Sequence, residues 1–244
     1  MNPVREQKIR SVIRQSQPDL TVILENIFDP LNISAVLRSC DAVGIREVFV
    51  LYTKKYLDKR GLVLGKKTSA GTFKWIDVYV FEDMEECFRR VRQRYQRILA
   101  TGLGDRSHSL YELDLTVPTA LLFGNEDEGV SVEAQALSDG NFAIPQVGFA
   151  ESLNISVACA ITLFEARRQR AQQGFYDSKS KFSAEEQEQL FERWKTMLKE
   201  KSHFQQQAIQ VSKDSADLLP VFVQRDPAAE RTQIRPSPLT KFEL

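Results

Sequence analysis

Short, nearly continuous apolar runs recur along the chain, each followed by a polar turn and then by apolar residues at helical spacing. LTVILE (Leu20–Glu25) is the first, after which Asp29 and Pro30 cap and open a helix expected to reach Ala42. Gly44 ends that helix, and EVFVLY (Glu47–Tyr52) forms the next strand. A basic crossover with a short helix near Leu57–Leu64 leads to KWIDVYVF (Lys74–Phe81), then a helix over Met84–Tyr95 and a strand over Arg97–Leu103. Strands follow at Thr119–Asn125 and Asn141–Pro145, with a short helix near Val132–Leu137 between them. Strands separated by helices in this way predict an α/β fold, a mainly parallel sheet flanked by helices on both faces.

The last of these strands runs into a loop carrying Gly148, and Ser152 is expected to open a long apolar helix that ends in Arg167, Arg168 and Arg170. Such a turn offers several unpaired main-chain N–H groups and a hydroxyl in a small space, which suits a polar small molecule. Cations at the far end of the same helix point to a polyanionic substrate. Beyond Gly174 the pattern changes. Ser183 and Glu186 form a capping box for an amphipathic helix from Ala184 to about Lys201. A Gln-rich stretch, one apolar patch (Leu218–Val223) and a polar tail with Pro236 and Pro238 complete an extension, residues 177–244, expected to be docked in part and mobile in part.

The chain has 244 residues, 42% of them hydrophobic, enough for one full α/β domain with appendages. No apolar run is long enough to span a bilayer, and MNPVREQKIR lacks the apolar core of a secretory signal, so a cytoplasmic, non-membrane protein is expected. Cys40, Cys87 and Cys159 lie in apolar helical patterns and read as buried reduced thiols. Two histidines and no close cysteine pair argue against a metal site. Formal net charge is zero, yet the basic residues are grouped, and grouping rather than the total sets the local field. One group is Arg5, Lys8, Arg10 and Arg14; a second runs from Lys54 to Lys74; a third is Arg89, Arg90, Arg92, Arg94 and Arg97; the fourth ends the long helix. Any single run is compatible with a solvated helix face; four together favour a nucleic acid.

Ligands of open α/β sheets bind at the carboxyl ends of strands. Three loops there carry candidate chemistry. In ATGLGDRS (Ala100–Ser107), Gly102 and Gly104 begin a dinucleotide fingerprint, but Ser107 stands where a third glycine or alanine is needed and no long helix follows directly, so a nicotinamide site is poorly supported. FGNEDEGV (Phe123–Val130) sets Gly124 and Gly129 around Asn125 and Glu126. Glu126 is the functional candidate, and Asp127 and Glu128 read as a solvent-exposed acidic turn. The Gly148 loop is the third. On the first helix, NISAVLR (Asn32–Arg38) puts Asn32 in the first turn and Arg38 within an otherwise apolar pattern, where it is either a site residue or the partner of a salt bridge.

NISAVLR, LFGNEDEG and IPQVGFAESLNISVA resemble, in order and spacing, the three motifs of the SPOUT superfamily of RNA methyltransferases. The N-terminal RQSQPDLTVILE and the ending LFEARRQR are similar to the TrmH-type tRNA 2′-O-methyltransferases, which act on guanosine 18 of the D-loop. The likeness covers about Met1 to Tyr176. It implies a C-terminal deep trefoil knot, an exception to the rule against threaded chains, a homodimer, and S-adenosyl-L-methionine as methyl donor. It implies a basic N-terminal RNA-binding helix over residues 1–18 and a methyltransferase domain over 19–176. Carried over by position, the donor site is Thr101, Gly102, Leu103, Gly124, Ile144, Ser152 and Leu153. Arg38 is the catalytic arginine, supported by Asn32, Glu126 and Asn154, and Arg10, Arg14, Arg167 and Arg168 contact tRNA. The resemblance leaves open whether Arg38 is a base or a clamp. A guanidinium stays charged, which favours a clamp on the neighbouring phosphate and the developing alkoxide. Another tRNA or rRNA position as target, or a non-catalytic RNA-binding protein of the same fold, are the competing readings.

Overall fold

A computed structural model describes residues 1–54, 72–102, 107–177 and 180–199, together with three strands further on, at 209–211, 221–225 and 232–236. The expected short helix near Leu57–Leu64, Leu103 of the expected donor site and half of the Leu218–Val223 patch lie outside these residues. Helix α1 (Pro3–Arg14) precedes strand β1 (Leu20–Glu25), helix α2 (Pro30–Val43), β2 (Glu47–Leu51) and β3 (Asp77–Phe81). There follow α3 (Met84–Arg92), β4 (Arg97–Thr101), the two-residue β5 (His108–Ser109), β6 (Thr119–Phe123), α4 (Val132–Ala136), β7 (Gly140–Ala143), the long α5 (Ile155–Gln172) and α6 (Ala184–Lys199). The last strands are β8 (Ile209–Val211), β9 (Val221–Arg225) and β10 (Thr232–Pro236).

Eight strands form one sheet in the order β5-β7-β4-β6-β1-β2-β3-β8, and every neighbouring pair is parallel. All six residues of β1 are buried, as a central strand covered on both faces requires. Its alternate residues serve different layers. Leu20, Val22 and Leu24 pack with Val36, Leu37 and Cys40 of α2 and Cys159, Leu163 and Ala166 of α5, whereas Ile23 faces Cys87, Phe88 and Val91 of α3. All three cysteines are free and buried. The alternating scheme read from the sequence is thus present, with boundaries shifted by a few residues. Helix α3 stops at Arg92 rather than Tyr95, and β4 at Thr101 rather than Leu103. The sequence pattern did not anticipate β8 beside β3, nor the antiparallel ribbon of β9 and β10.

A third apolar cluster joins α1 to α6. Ile9 and Ile13 of α1 pack with Leu190, Phe191 and Trp194 of α6, and Trp75 meets Trp194 edge-on at 5.0 Å. The capping box expected at Ser183 is present: the Ser183 N–H donates to Glu186 at 2.6 Å, and the Glu186 N–H donates to Ser183 Oγ at 3.2 Å.

Two expectations about charge are corrected here. Arg170, grouped with the cations at the end of α5, is wholly buried. Its Nε donates to the Leu115 carbonyl at 2.9 Å, Nη1 to Asp19 at 2.6 Å and to Gln17 Oε1 at 3.1 Å, and Nη2 to the carbonyls of Asp19 and Val117 at 3.2 Å each. With Gln169 bonded to Leu113 and Leu115, it ties the 113–117 segment across the end of α5. The Arg89–Arg97 group is likewise structural. Arg89 and Arg90 pair with Glu86, Arg92 with Asp139 and Arg94 with Glu47, while Arg97 donates to Thr119 and to the Asp114 carbonyl. Removing Arg170 takes the donor from Asp19 Oδ1, Gln17 Oε1 and the Leu115 carbonyl and breaks a buried ion pair, so Arg170→Ala is expected to cost about 3–5 kcal/mol in urea unfolding. Arg168→Ala, two residues earlier but on the solvent side, should change the midpoint little; equal losses would refute the structural assignment.

Candidate active site

Strands β7, β4, β6 and β1 are neighbours, so the loops at their carboxyl ends line up along one edge of the sheet. Asp29 caps α2, its side chain accepting from the Leu31 N–H at 2.8 Å, and this presents Asn32 in the first turn. Asn32 Nδ2 donates to Glu126 Oε1 at 2.6 Å, and Asn32 Oδ1 accepts from Asn154 Nδ2 at 3.2 Å. Asn154 Oδ1 in turn accepts from the Ser156 N–H at 2.9 Å, capping α5. One amide therefore joins the β1, β6 and β7 loops. The sequence reading had Ser152 opening α5; the cap is Asn154, because its side chain reaches the first-turn N–H, and Ser152 stays in the exposed loop before it.

The β6 loop is shaped by a second asparagine. Asn125 Oδ1 accepts from the Asp127 and Glu128 N–H groups at 2.7 and 3.2 Å, and its backbone pairs in both directions with Gly129. Gly129 has φ +71, and a Cβ on Gly124 would lie 2.1 Å from the Gly129 carbonyl carbon and from the Val130 nitrogen. Main chain occupies the space where any other residue at 124 would put its side chain. Asn125 Nδ2 also donates to the Asn26 carbonyl at 2.9 Å. Asn26, at φ 52, is the residue that sequence reasoning missed. Its side chain donates to Thr53 Oγ1 and accepts from the Thr53 N–H, both at 2.9 Å, so it clamps the ends of β1, β2 and β6 together. An asparagine directly after a strand, tolerant of left-handed φ, was the available signal. Glu128 is not merely solvated, since it pairs with Lys54 across the same junction. Tyr52, beside it, has its phenol pushed up to about 12 by burial and by the Glu126 charge.

The remaining expected residues fall at the same edge. Thr101 Oγ1 donates to the Leu122 carbonyl at 3.3 Å and the Gly102 N–H to the Phe142 carbonyl at 3.0 Å, holding the β4 end to β6 and β7. Ile144 packs on the core, and Leu153 is half-buried. From Gln146 to Leu153 no main-chain N–H donates to a described residue, so this loop retains the free donors a backbone-bound ligand needs. Arg38 is exposed on α2 and forms no ion pair with a described residue, so the salt-bridge alternative has no support there. It makes no contact with the Asn32 cluster either. Arg14 and Arg167 are exposed, the latter over the Tyr176 ring at 5.3 Å; Arg168 pairs with Glu165, and Arg10 with Glu6 and Glu188. Among the described residues no group of three His, Cys, Asp or Glu side chains is placed to hold a metal.

The polar network thus lies at the carboxyl edge of a parallel sheet, beside a loop whose N–H groups donate to no described residue. The profile of the SpoU rRNA Methylase family matches residues 19–164, and the chain belongs to that family. It is 46% identical over 173 residues to the tRNA (guanosine(18)-2'-O)-methyltransferase of Thermus thermophilus, covering 71% of this chain and 87% of that protein. The crystal structure of the Aquifex aeolicus TrmH/SpoU tRNA modifying enzyme superposes with a TM-score of 0.72 at 33% identity, covering 80% of this chain and 96% of the other. The SpoU methyltransferase AviRb of Streptomyces viridochromogenes, in complex with the cofactor AdoMet, gives 0.54 at 27% identity over 65% of this chain and 64% of the other.

The glycines of the β6 loop supply a stability test. Gly124→Ala is expected to cost about 3 kcal/mol, because backbone must move to admit the methyl group. Gly129→Ala meets no atom within 4 Å and bears only its left-handed φ, about 1–2 kcal/mol. Chemical denaturation of both variants checks the order, and a milder Gly124→Ala would contradict the close approach.

Proposed function

We propose that this protein transfers a methyl group from S-adenosyl-L-methionine to a ribose 2′-hydroxyl of tRNA, at guanosine 18 of the D-loop. The observation that carries the reading is the Asn154–Asn32–Glu126 chain, which joins the three motifs at one point while Arg38 on the same helix forms no ion pair with a described residue. The main-chain N–H groups of Gln146–Leu153, which donate to no described residue, suit the methyl donor. Thr101, Gly102, Gly124, Ile144, Ser152 and Leu153 would hold it. The donor supplies an electrophilic methyl on a sulfonium.

The protein's own work is to bring the 2′-oxygen in line and to help its proton leave. Arg38 clamps the phosphate next to the target and stabilises the alkoxide as it forms, while the proton passes to a phosphate oxygen or to water. Asn32 and Asn154 fix the loops, and Glu126 anchors Asn32. Arg10, Arg14, Arg167 and Arg168 serve RNA phosphates. Of these, Arg14 and Arg167 are free of ion pairs with described residues, and the other two must exchange a carboxylate for a phosphate.

The unit of function is a homodimer built on residues 19–176, whose C-terminal part forms a trefoil knot, working in the cytoplasm. Val157 and Phe164, seven residues apart on α5, and Phe28 and Leu31 at the start of α2 are half-exposed apolar side chains on two packed helices, a surface that a second copy would cover. The wrap of 113–117 over α5 supports the knot. No helix of the described residues is long and apolar enough to cross a membrane.

Labelled S-adenosyl-L-methionine with unmodified tRNA is expected to give incorporation that disappears when guanosine 18 carries a 2′-deoxy substitution. Arg38→Ala should keep donor affinity and lose turnover by roughly 100-fold or more. Label that survives the deoxy substitution would move the target, and no incorporation into any RNA would defeat the catalytic reading. Sedimentation equilibrium should give about 56 kDa, twice the 27.9 kDa of the chain; a monomer at micromolar concentration would exclude the dimer.

A further inference from the structure

At the α1–α6 junction, the carboxylate that Arg10 must give up to take an RNA phosphate is that of Glu188. Glu188 of α6 takes the Arg10 guanidinium in a two-point grip, Nη1 to Oε2 at 2.7 Å and Nη2 to Oε1 at 3.3 Å. The same guanidinium lies 3.7 Å over the Phe191 ring and donates Nε to Glu6 at 3.1 Å. It is therefore held flat, with its fork presented to one planar oxyanion. Beside it a cleft of about 380 Å³ is lined by Gln7, Arg10, Ser11, Ile13, Arg14 and Gln187. Arg14, one turn along, is exposed and has no ion-pair partner among the described residues. The cleft thus offers one free cation, one cation occupied by an internal carboxylate, and the amides and hydroxyl that bind phosphodiester oxygens.

The acidic residues of α6 do not all share this arrangement. Glu186 closes the capping box, Glu192 pairs with Lys195 and Glu185 accepts from Gln189, all within or just ahead of the helix. Glu188 is the one that crosses to a cation of α1. Both partners are about half exposed, at 44% and 55% of their side chains, so the pair is solvated and easily exchanged. The fork geometry that suits a carboxylate suits a phosphodiester equally well. A tRNA phosphate brings in addition the release of condensed counterions, which the carboxylate does not.

We propose that the cleft between α1 and α6 is a phosphodiester subsite for tRNA, and that Glu188 occupies it in the free protein as an internal competitor for Arg10. The subsite rests on the tRNA reading above and adds its regulation. Binding of tRNA exchanges the Glu188 carboxylate for a backbone phosphate, Arg14, Ser11, Gln7 and Gln187 supplying the neighbouring donors. Glu188 thereby lowers affinity for any polyanion that cannot fill the whole cleft, and α6 takes part in substrate selection.

The test is a double-mutant cycle read by equilibrium binding of an unmodified tRNA transcript to the full-length protein. Glu188→Gln is expected to tighten binding about two- to five-fold, the range of an exposed ion pair. Arg10→Ala should weaken it, and Glu188→Gln should have no effect in the Arg10→Ala background. Glu185→Gln, the same charge change on the same helix without a contact to Arg10, should leave affinity near that of the wild type. Unchanged or weaker binding of Glu188→Gln would overturn the proposal, as would a gain that persists without Arg10 or is matched by Glu185→Gln. Wild-type protein that methylates tRNA while the cycle fails keeps the function and loses only this subsite. Wild-type protein that binds no tRNA would overturn both.

Discussion

Asn32 has one side-chain amide, and both ends of it are engaged: the nitrogen with Glu126, the oxygen with Asn154. These two hydrogen bonds tie its loop to both other motif loops, so their mutual position depends on this bridge. A hydrogen bond tolerates a few tenths of an ångström, and the three loops leave separate strands at β1, β6 and β7. The sheet must therefore hold those strand ends in fixed register. β1 and β6 pair over five residues, β4 joins β6 to β7, and Asn26 clamps the tips of β1, β2 and β6. Gly124 belongs to the same constraint, since a side chain there would push the Glu126 turn away from α2.

Arginine serves two opposed ends in this molecule, and depth separates them. Arg170 at the inner end of α5 and Arg94 after α3 have carboxylates or carbonyls on their donors and fix segments distant in sequence, while Arg90 pairs within α3 with Glu86. Such groups are costly to expose or to strip of partners, which makes them poor ligands for an incoming polyanion. Arg14, Arg38 and Arg167 are exposed without described ion-pair partners and keep their donors for something outside the chain. A net charge of zero, from 33 basic and 33 acidic residues, distinguishes neither population.

The sheet was legible because buried parallel strands read as plain apolar runs, and helix α2 because Asp29, Pro30 and Gly44 mark both its ends. The site was legible through its motifs, and Asn32, Glu126 and Asn154 do meet. Three kinds of information were not local enough to read. Which of several polar residues caps a helix depends on where the chain turns, so Ser152 was preferred to Asn154. Whether an arginine faces water depends on what crosses over it, and only the folded chain shows the 113–117 segment over Arg170. Asn26 draws its importance from Thr53 and Asn125, 27 and 99 residues away.

The N-terminal helix shows why a basic run cannot be scored without its neighbours. Residues 1–14 alone suggest a free cationic arm, yet Ile9 and Ile13 seat α1 on Phe191 and Trp194, and Arg10 lies flat on the Phe191 ring. Arg46 ties the same corner together, pairing with Asp41, donating Nε to Ser16 Oγ and lying 5.4 Å over Trp194. The arm is thus a rigid ledge, fixed to α2 through Arg46 and Asp41 and so to the helix that presents Asn32 and Arg38. A phosphate bound there, as proposed, would be held at a set position relative to α2. Positioning of that kind, rather than attraction alone, is what a reaction on one hydroxyl of a large polyanion requires.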